Sequence, residues 1–200
     1  MPAWFDKALR VFVYDDDGHF GLLSSAFHWW WAVTYASTMR TDLRYTPSDV
    51  FETFPQPGPQ SGPKWDAIDI AGRELNEFRA DLMIRTNLGL TKTYNRVHKP
   101  DEQHPDIVRL RELHVILDHA VRDAYGWSDL APDHHHWTTP QGMRFTVSPS
   151  AKDELLDRLL ELNHERYAAE VAAGLHTKKA KKSPAKRSAK GAGGGQESLL

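Results

Sequence analysis

The chain has 200 residues, of which 40% are hydrophobic and 26% are charged, a composition typical of one globular domain with a tail rather than of a disordered protein. It contains no Cys, which excludes disulfides and thiolate sites, and no apolar run of membrane-spanning or signal-peptide type, so we expect a cytoplasmic protein outside the membrane. The net charge of −2 is unevenly distributed: seven of the 25 basic residues and one of the 27 acidic residues lie after His176, which leaves a body with a charge of −8.

The first predicted elements are a β-hairpin and a Trp-rich helix. Two apolar runs, Arg10–Tyr14 and His19–Leu23, flank an Asp-Gly sequence that favours a tight turn. Ser24 or Ser25 can then cap a helix over Ala26–Ala36. The aromatic residues of that helix predict that most of it is buried.

A break in the pattern follows this first part. An extended stretch, Asp42–Thr46, leads to a brief helix over Pro47–Phe51, and the Pro-rich run Phe54–Pro59 interrupts regular structure. We therefore expect three regions: residues 1–58, 59–176, and a disordered Lys/Ala/Ser/Gly-rich tail over 177–200.

The second region is predicted to be helical. One helix runs over Lys64–Asn87 and ends at Gly89, and another runs over Pro105–Tyr125 and ends at Gly126. A short strand over Met143–Val147 precedes a long helix that starts at Ser148-Pro149-Ser150. The inward residues expected from the three- and four-residue spacing are Ile68, Leu75, Phe78, Leu82, Met83, Ile107, Leu110, Leu113, Leu117, Val121, Ala124, Leu155, Leu156, Leu159, Leu160 and Leu162. The predicted fold is mainly α with a small β element (α+β), an N-terminal hairpin and Trp-rich helix followed by a helical bundle and a basic tail.

The sequence carries no recognisable catalytic or cofactor motif. No Gly-rich nucleotide loop, His-Glu-x-x-His or Gly-x-Ser-x-Gly is present, so we expect neither catalytic residues nor a cofactor in this chain. His114 and Asp118 are expected to form a pair on a helix surface. Two sets of residues could in principle hold a metal ion, but we favour a solvated loop for the first and a hairpin turn for the second: Asp133, His134 and His136, and Asp15, Asp16 and Asp17.

One local cluster has the composition of a nucleic-acid contact. Its hydroxyl, imidazole and guanidinium groups are of the kinds that bind phosphates and base edges. The cluster consists of Ser24, Ser25, His28, Arg40, Thr41, Arg44 and Tyr45, and the tail adds Lys178, Lys179, Lys181 and Lys182. The alternative is that His28 packs in the core and that Arg40 and Arg44 pair with Asp42, Asp49 or Glu52.

A family resemblance favours the DNA-contact interpretation. The segments Phe20–Trp31 and Arg40–Pro57 resemble the end of the target-recognition region in large single-chain type II DNA methyltransferases of restriction-modification systems. Further along, Leu88–Asn95, Arg109–His114 and Ala120–Trp127 resemble the helical C-terminus of the same enzymes. The resemblance extends from about Phe20 to Gly174.

The resemblance implies double-stranded DNA as a partner and a methylase domain or subunit supplied elsewhere. Members of that family transfer a methyl group from S-adenosylmethionine to adenine N6 with an Asn-Pro-Pro-Tyr motif, which this sequence lacks. We therefore expect the chain alone to bind rather than to catalyse, as a split subunit, a separately encoded fragment or a truncated product. The competing hypotheses are a structural or protein-binding remnant without DNA affinity and a metal-dependent nuclease that uses Asp15, Asp17 and His19.

Overall fold

The computed structural model describes residues 11–39 and 42–175, and within these ranges helices predominate. The elements in chain order are α1 (Asp17–Ser24), α2 (Ala26–Tyr35), β1 (Ser37–Met39), β2 (Asp42–Arg44), a single π-helical turn (Pro47–Phe51), α3 (Pro63–Thr86), α4 (Leu90–Val97), α5 (Pro105–Tyr125), β3 (His135–Thr139), β4 (Gly142–Thr146) and α6 (Pro149–Ala172). The strands form two antiparallel pairs, β1 with β2 and β3 with β4. The predicted class, mainly α with a small β element, is confirmed.

The predicted N-terminal hairpin is wrong, because its second half is helix α1. Asp16, expected in a turn, is the N-cap of this helix, and its carboxylate accepts a hydrogen bond from the His19 backbone N–H at 2.8 Å. An Asp that precedes Gly can start a turn or cap a helix, and here packing against α3 favours the helix.

Two glycines allow α1 to approach α3 almost to backbone contact. A Cβ atom placed on Gly18 would lie 2.7 Å from the Trp65 ring, and one on Gly72 would overlap the carbonyl oxygen of Asp17. Side chains at these positions would force the helices apart, so the glycines determine where the N-terminal segment sits on the helical part.

The core lies between α3 and α5 and extends beneath α2 and α6. The predicted inward residues Ile68, Leu75 and Leu82 on α3 are buried, and so are Ile107, Leu110, Leu113, Leu117 and Val121 on α5. The remaining predicted residues of these two helices, Phe78, Met83 and Ala124, are partly buried. Helix α6 packs on α2 and buries Leu155 and Leu159.

The ends of the helices follow local signals with one exception. Gly126 adopts a left-handed φ of 79° and ends α5, and Ser148 caps α6, both as predicted. Helix α3 instead ends at Asn87, with a left-handed φ of 51°, and Gly89 is the N-cap of α4. Asn is the residue other than Gly that most readily takes this conformation, which is why the stop falls two residues earlier.

The solvated loop predicted around Asp133, His134 and His136 runs into a strand, β3, which begins at His135. β3 pairs with β4 in the register His135↔Thr146 to Thr139↔Gly142, so the predicted strand near Met143 has a partner that the sequence pattern did not reveal. In the described part of the chain, no helix is long and apolar enough to cross a membrane.

Candidate nucleic-acid interface

Arg44 is the exposed cation at the end of the β1–β2 hairpin. It lies opposite Ser37 in the antiparallel register and is exposed to solvent. Its guanidinium makes no ion pair with any described side chain, so the alternative in which Arg44 pairs with Asp49 or Glu52 is not seen. Arg40 and Thr41, which connect the two strands in the sequence, lie outside the described residues, as do Lys178, Lys179, Lys181 and Lys182.

His28 anchors the hairpin rather than facing solvent. It is 6% exposed, its Nε2 atom lies 3.0 Å from the Tyr45 hydroxyl, and its Nδ1 lies 3.1 Å from the Leu23 carbonyl oxygen. Because a carbonyl can only accept, Nδ1 carries the proton and Nε2 accepts from Tyr45. Burial lowers the pKa of His28 to about 4 and raises the pKa of Tyr45 to about 12, so both groups are neutral at pH 7. The residue next to Arg44 is thereby tied to α2.

The two serines of the cluster have different environments. Ser25 is fully buried and is the N-cap of α2: its hydroxyl donates to the Leu22 carbonyl at 2.7 Å and accepts from the His28 backbone N–H at 3.4 Å. In this structure Ser25 therefore serves the fold. Ser24 is partly buried and faces the cavity described below.

Asp118 links three distant parts of the chain. One carboxylate oxygen accepts from the Ala26 backbone N–H at the start of α2 at 2.8 Å. The other carboxylate oxygen lies 2.8 Å from Nε2 of His134. The Asp118 and His134 side chains are 3% and 5% exposed, so the predicted helix-surface pair of His114 and Asp118 is wrong. A carboxylate at a helix N-terminus satisfies a free N–H and meets the positive end of the helix dipole.

A cavity of about 660 Å³ opens beside this link, and we call it the central cavity. It lies where α2, α4, α5 and β4 meet. Its walls are formed by Leu23, Ser24, Ser25, Ala26, His28, Trp29, Ala32, Tyr45, Arg79, Leu90, Thr91, Tyr94, Asn95, Val97, His98, His114, Asp118, His134, Arg144, Phe145 and Thr146. It therefore joins the predicted DNA-contact cluster to the helical part.

Two imidazoles of the central cavity, those of His98 and His114, are neutral at pH 7. Burial lowers the pKa of His98 to about 4, assisted by the nearby positive charge of Arg144, and burial also lowers the pKa of His114 to about 4. The Nε2 atom of His114 lies 2.8 Å from the Tyr94 hydroxyl. At pH 7 these rings act as hydrogen-bonding groups and add no charge.

Arg111 is a structural residue that the sequence interpretation missed. Its buried guanidinium donates to the carbonyls of Arg96, Val97, Lys99 and Glu102 at 2.8–3.3 Å, beyond and at the C-terminal end of α4. The carbonyls of Arg96 and Lys99 also accept from the backbone N–H groups of Lys99 and Glu102, so Arg111 reinforces the turn that follows α4 and supports this wall of the central cavity. The spacing of apolar residues on α5 places position 111 near the core but does not show what it binds.

Most of the residues considered for a metal site or a nuclease make other contacts. His19 pairs with Asp16 at 2.7 Å, and Asp17 pairs with Arg73 at 2.9 Å. His136 lies 3.2 Å from the Val97 carbonyl oxygen through Nε2. Within residues 11–39 and 42–175, no group of three or more His, Asp or Glu side chains is placed to hold a metal ion.

Comparisons with known proteins agree with the resemblance. A family profile described as "MmeI, target recognition domain" matches residues 5–58. The solved structure of the type IIL restriction-modification enzyme MmeI in complex with DNA superposes with a TM-score of 0.53 at 21% sequence identity, over 76% of this chain. The chain spans 16% of the length of that enzyme chain. A search of curated proteins found no match. The resemblance to a restriction-modification target-recognition region is thus confirmed, and the matched profile contains the whole cluster from Ser24 to Tyr45.

Proposed function

We propose that this chain is a DNA-recognition segment of a restriction-modification system and that the β1–β2 hairpin contacts double-stranded DNA. The observation that carries the proposal is the match of residues 5–58 to the MmeI target recognition domain. The structure of MmeI with DNA has a similar fold, which supports the same kind of partner here.

Arg44 is the described residue best suited to this contact. An exposed guanidinium without a carboxylate partner loses no ion pair when it binds, and it can donate two hydrogen bonds to a guanine edge or to a phosphate. The hydrogen bond between Tyr45 and His28 connects the neighbouring residue to a buried helix. This support reduces the conformational entropy that the hairpin would lose on binding.

The other members of the cluster have different proposed roles. Arg40 and Thr41 stand in the sequence between the two strands and would contact DNA together with Arg44. The tail residues Lys178, Lys179, Lys181 and Lys182 would add affinity that is independent of sequence and falls with salt. Because the body has a net charge of −8, the DNA contact on it must be local.

We further propose that the chain works with a methylase domain supplied elsewhere and does not itself bind S-adenosylmethionine. The chain spans 16% of the MmeI chain, and its sequence has neither the Asn-Pro-Pro-Tyr motif nor a Gly-rich cofactor loop. Sequence-specific binding that is indifferent to S-adenosylmethionine would support this division of labour.

The test is selection of bound duplexes from a random pool by the purified chain, at several salt concentrations, with and without S-adenosylmethionine. We expect one enriched motif. Arg44→Ala should weaken binding to that motif by about 1–3 kcal/mol and relax one position if Arg44 reads a base, or weaken all sequences equally if it contacts a phosphate. Arg85→Ala, an exposed arginine on α3 that pairs with Asp81 and Asp106, is the matched control and should bind normally.

A truncation after His176 separates the tail from the hairpin. Loss of the seven basic residues after His176, among them the four proposed lysines, should flatten the dependence of affinity on salt while the enriched motif stays the same. No enrichment by the full chain, together with an unaffected Arg44→Ala variant, would contradict the proposed function and favour a remnant without DNA affinity.

A further inference from the structure

The charges that line the central cavity are not balanced. Two guanidinium groups, Arg79 and Arg144, line it, and neither forms an ion pair with a described carboxylate. Asp118 is the carboxylate in the cavity wall, and both of its oxygens already accept hydrogen bonds from Ala26 and His134. The cavity therefore has uncompensated positive charge.

Arg144 is the least satisfied of these groups. Its Nε atom is buried and has no hydrogen-bond acceptor among the described residues. A buried guanidinium N–H without an acceptor costs folding free energy, since its bond to water has been lost without replacement. Arg144 lines the cavity and makes no ion pair with a described carboxylate, so an anion bound in the cavity would balance its charge.

Neighbouring groups offer further hydrogen bonds. The backbone N–H of Phe145 donates to Nδ1 of His98 at 3.1 Å, so the proton of this neutral ring resides on Nε2. The Nε2–H group of His98 has no acceptor among the described residues. Ser24 and Asn95 also line the cavity and bring a hydroxyl and an amide from two different parts of the chain.

The same walls carry aromatic surface. Trp29, Tyr45, Tyr94 and Phe145 line the cavity together with the polar groups. Aromatic side chains beside a cationic groove are the combination that binds nucleotides, because the base stacks on a ring and the phosphate meets a guanidinium. A volume of about 660 Å³ lies in the range of sites for small ligands.

We propose that the central cavity binds a nucleotide, with Arg144 as the contact for its phosphate and the aromatic walls as the surface for its base. The inference goes beyond the contact proposed for Arg44, although Tyr45, the residue after Arg44, lines the same cavity. The nucleotide can be a residue of a DNA strand or a free mononucleotide, since both present the same phosphate and base chemistry.

The test is titration of the purified full chain with deoxyadenosine monophosphate by calorimetry, in parallel with inorganic phosphate and deoxyadenosine. We expect the mononucleotide to bind more tightly than either part. Arg144→Met should lower the affinity for it at least tenfold, and Arg144→Lys, which keeps the charge, should retain more affinity than Arg144→Met. Arg85→Met, far along α3 and ion-paired, should bind like the unmodified chain.

A melting curve of each variant shows whether the variant is folded. Because Arg144 Nε lacks a partner, Arg144→Met should melt at the same temperature as the unmodified chain or higher, while it loses the ligand. A residue with a purely structural role would give the opposite pattern, a lower melting temperature and unchanged affinity. That pattern, or phosphate and mononucleotide binding with equal affinity, would overturn the proposal.

Competition distinguishes the two sources. Displacement of the mononucleotide from the unmodified chain by a single-stranded or duplex oligonucleotide would identify a DNA strand as the source, and no displacement would identify the free nucleotide. If the full chain enriches no duplex motif and Arg44→Ala has no effect while the mononucleotide still binds, the proposed function fails and this inference stands. Absence of mononucleotide binding, with sequence-selective duplex binding retained and unaffected by Arg144→Met, would refute the inference and leave the proposed function standing.

Discussion

Asp118→Ala should be among the most destabilising single changes in this protein. The carboxylate accepts from the Ala26 backbone N–H and from His134 at 2.8 Å each, and both side chains of the His134–Asp118 pair are almost completely buried. Removing it leaves two donors without acceptors, at about 1–3 kcal/mol each, so we expect a loss of about 2–6 kcal/mol. Against a total of about 5–15 kcal/mol for a typical domain, this is a large fraction.

Asp118→Asn provides an intermediate case. Its single carbonyl oxygen can accept from Ala26 or from His134 but not from both, so we expect a smaller loss than for Asp118→Ala. The removed negative charge also weakens the favourable interaction with the N-terminus of α2. The order of stability should therefore be Asp118, then Asn, then Ala.

The assay is unfolding in urea at pH 7, followed by tryptophan fluorescence and analysed by linear extrapolation. Asp123→Ala is the matched control on the same helix, because Asp123 is 52% exposed and pairs with Arg122 at the surface; we expect a change below about 1 kcal/mol. A loss below about 1 kcal/mol for Asp118→Ala, or equal losses for both variants, would refute the assignment of Asp118 as the link between α2, α5 and the second hairpin.

Two further predictions concern packing and pH. Gly72→Ala should destabilise the fold by about 2–3 kcal/mol, because the new Cβ would overlap the Asp17 carbonyl. The control Gly89→Ala should be nearly neutral, because Gly89 has open space around it. Equal unfolding midpoints for the two variants would contradict the close approach of α1 and α3. Stability should also fall as the pH drops from about 6.5 to 4, since burial lowers the pKa of several imidazoles to about 4 and the unfolded chain then binds more protons than the folded one. These imidazoles are His28, His98 and His114. This stabilisation is complete above pH 6.5, so urea midpoints that do not decrease between pH 7 and pH 4.5 would argue against neutral, buried rings.

The sequence predicted where much of the candidate interface lies, but it did not show the role of each residue. The stretch from Ser24 to Tyr45 contains the right chemical groups, and the family match covers it. The structure separates its members: Ser25 caps a helix, His28 supports Tyr45, and Arg44 is exposed. Composition cannot make this distinction, because the residue type does not show whether a hydroxyl or imidazole group binds the backbone or a ligand.

The sequence by itself determined the long helices, their caps and most of the core. The apolar spacing on α5 and the signals at Gly126 and Ser148 are local, since they depend on residues within one or two helical turns. The tertiary structure alone decided that residues 17–24 form a helix, that Asp118 meets Ala26 across 92 positions, and that Arg144 lines a cavity while its Nε atom has no acceptor among the described residues. The physical reason is that the free energies of these contacts depend on burial and on partners remote in the chain, and neither can be calculated from neighbouring residues.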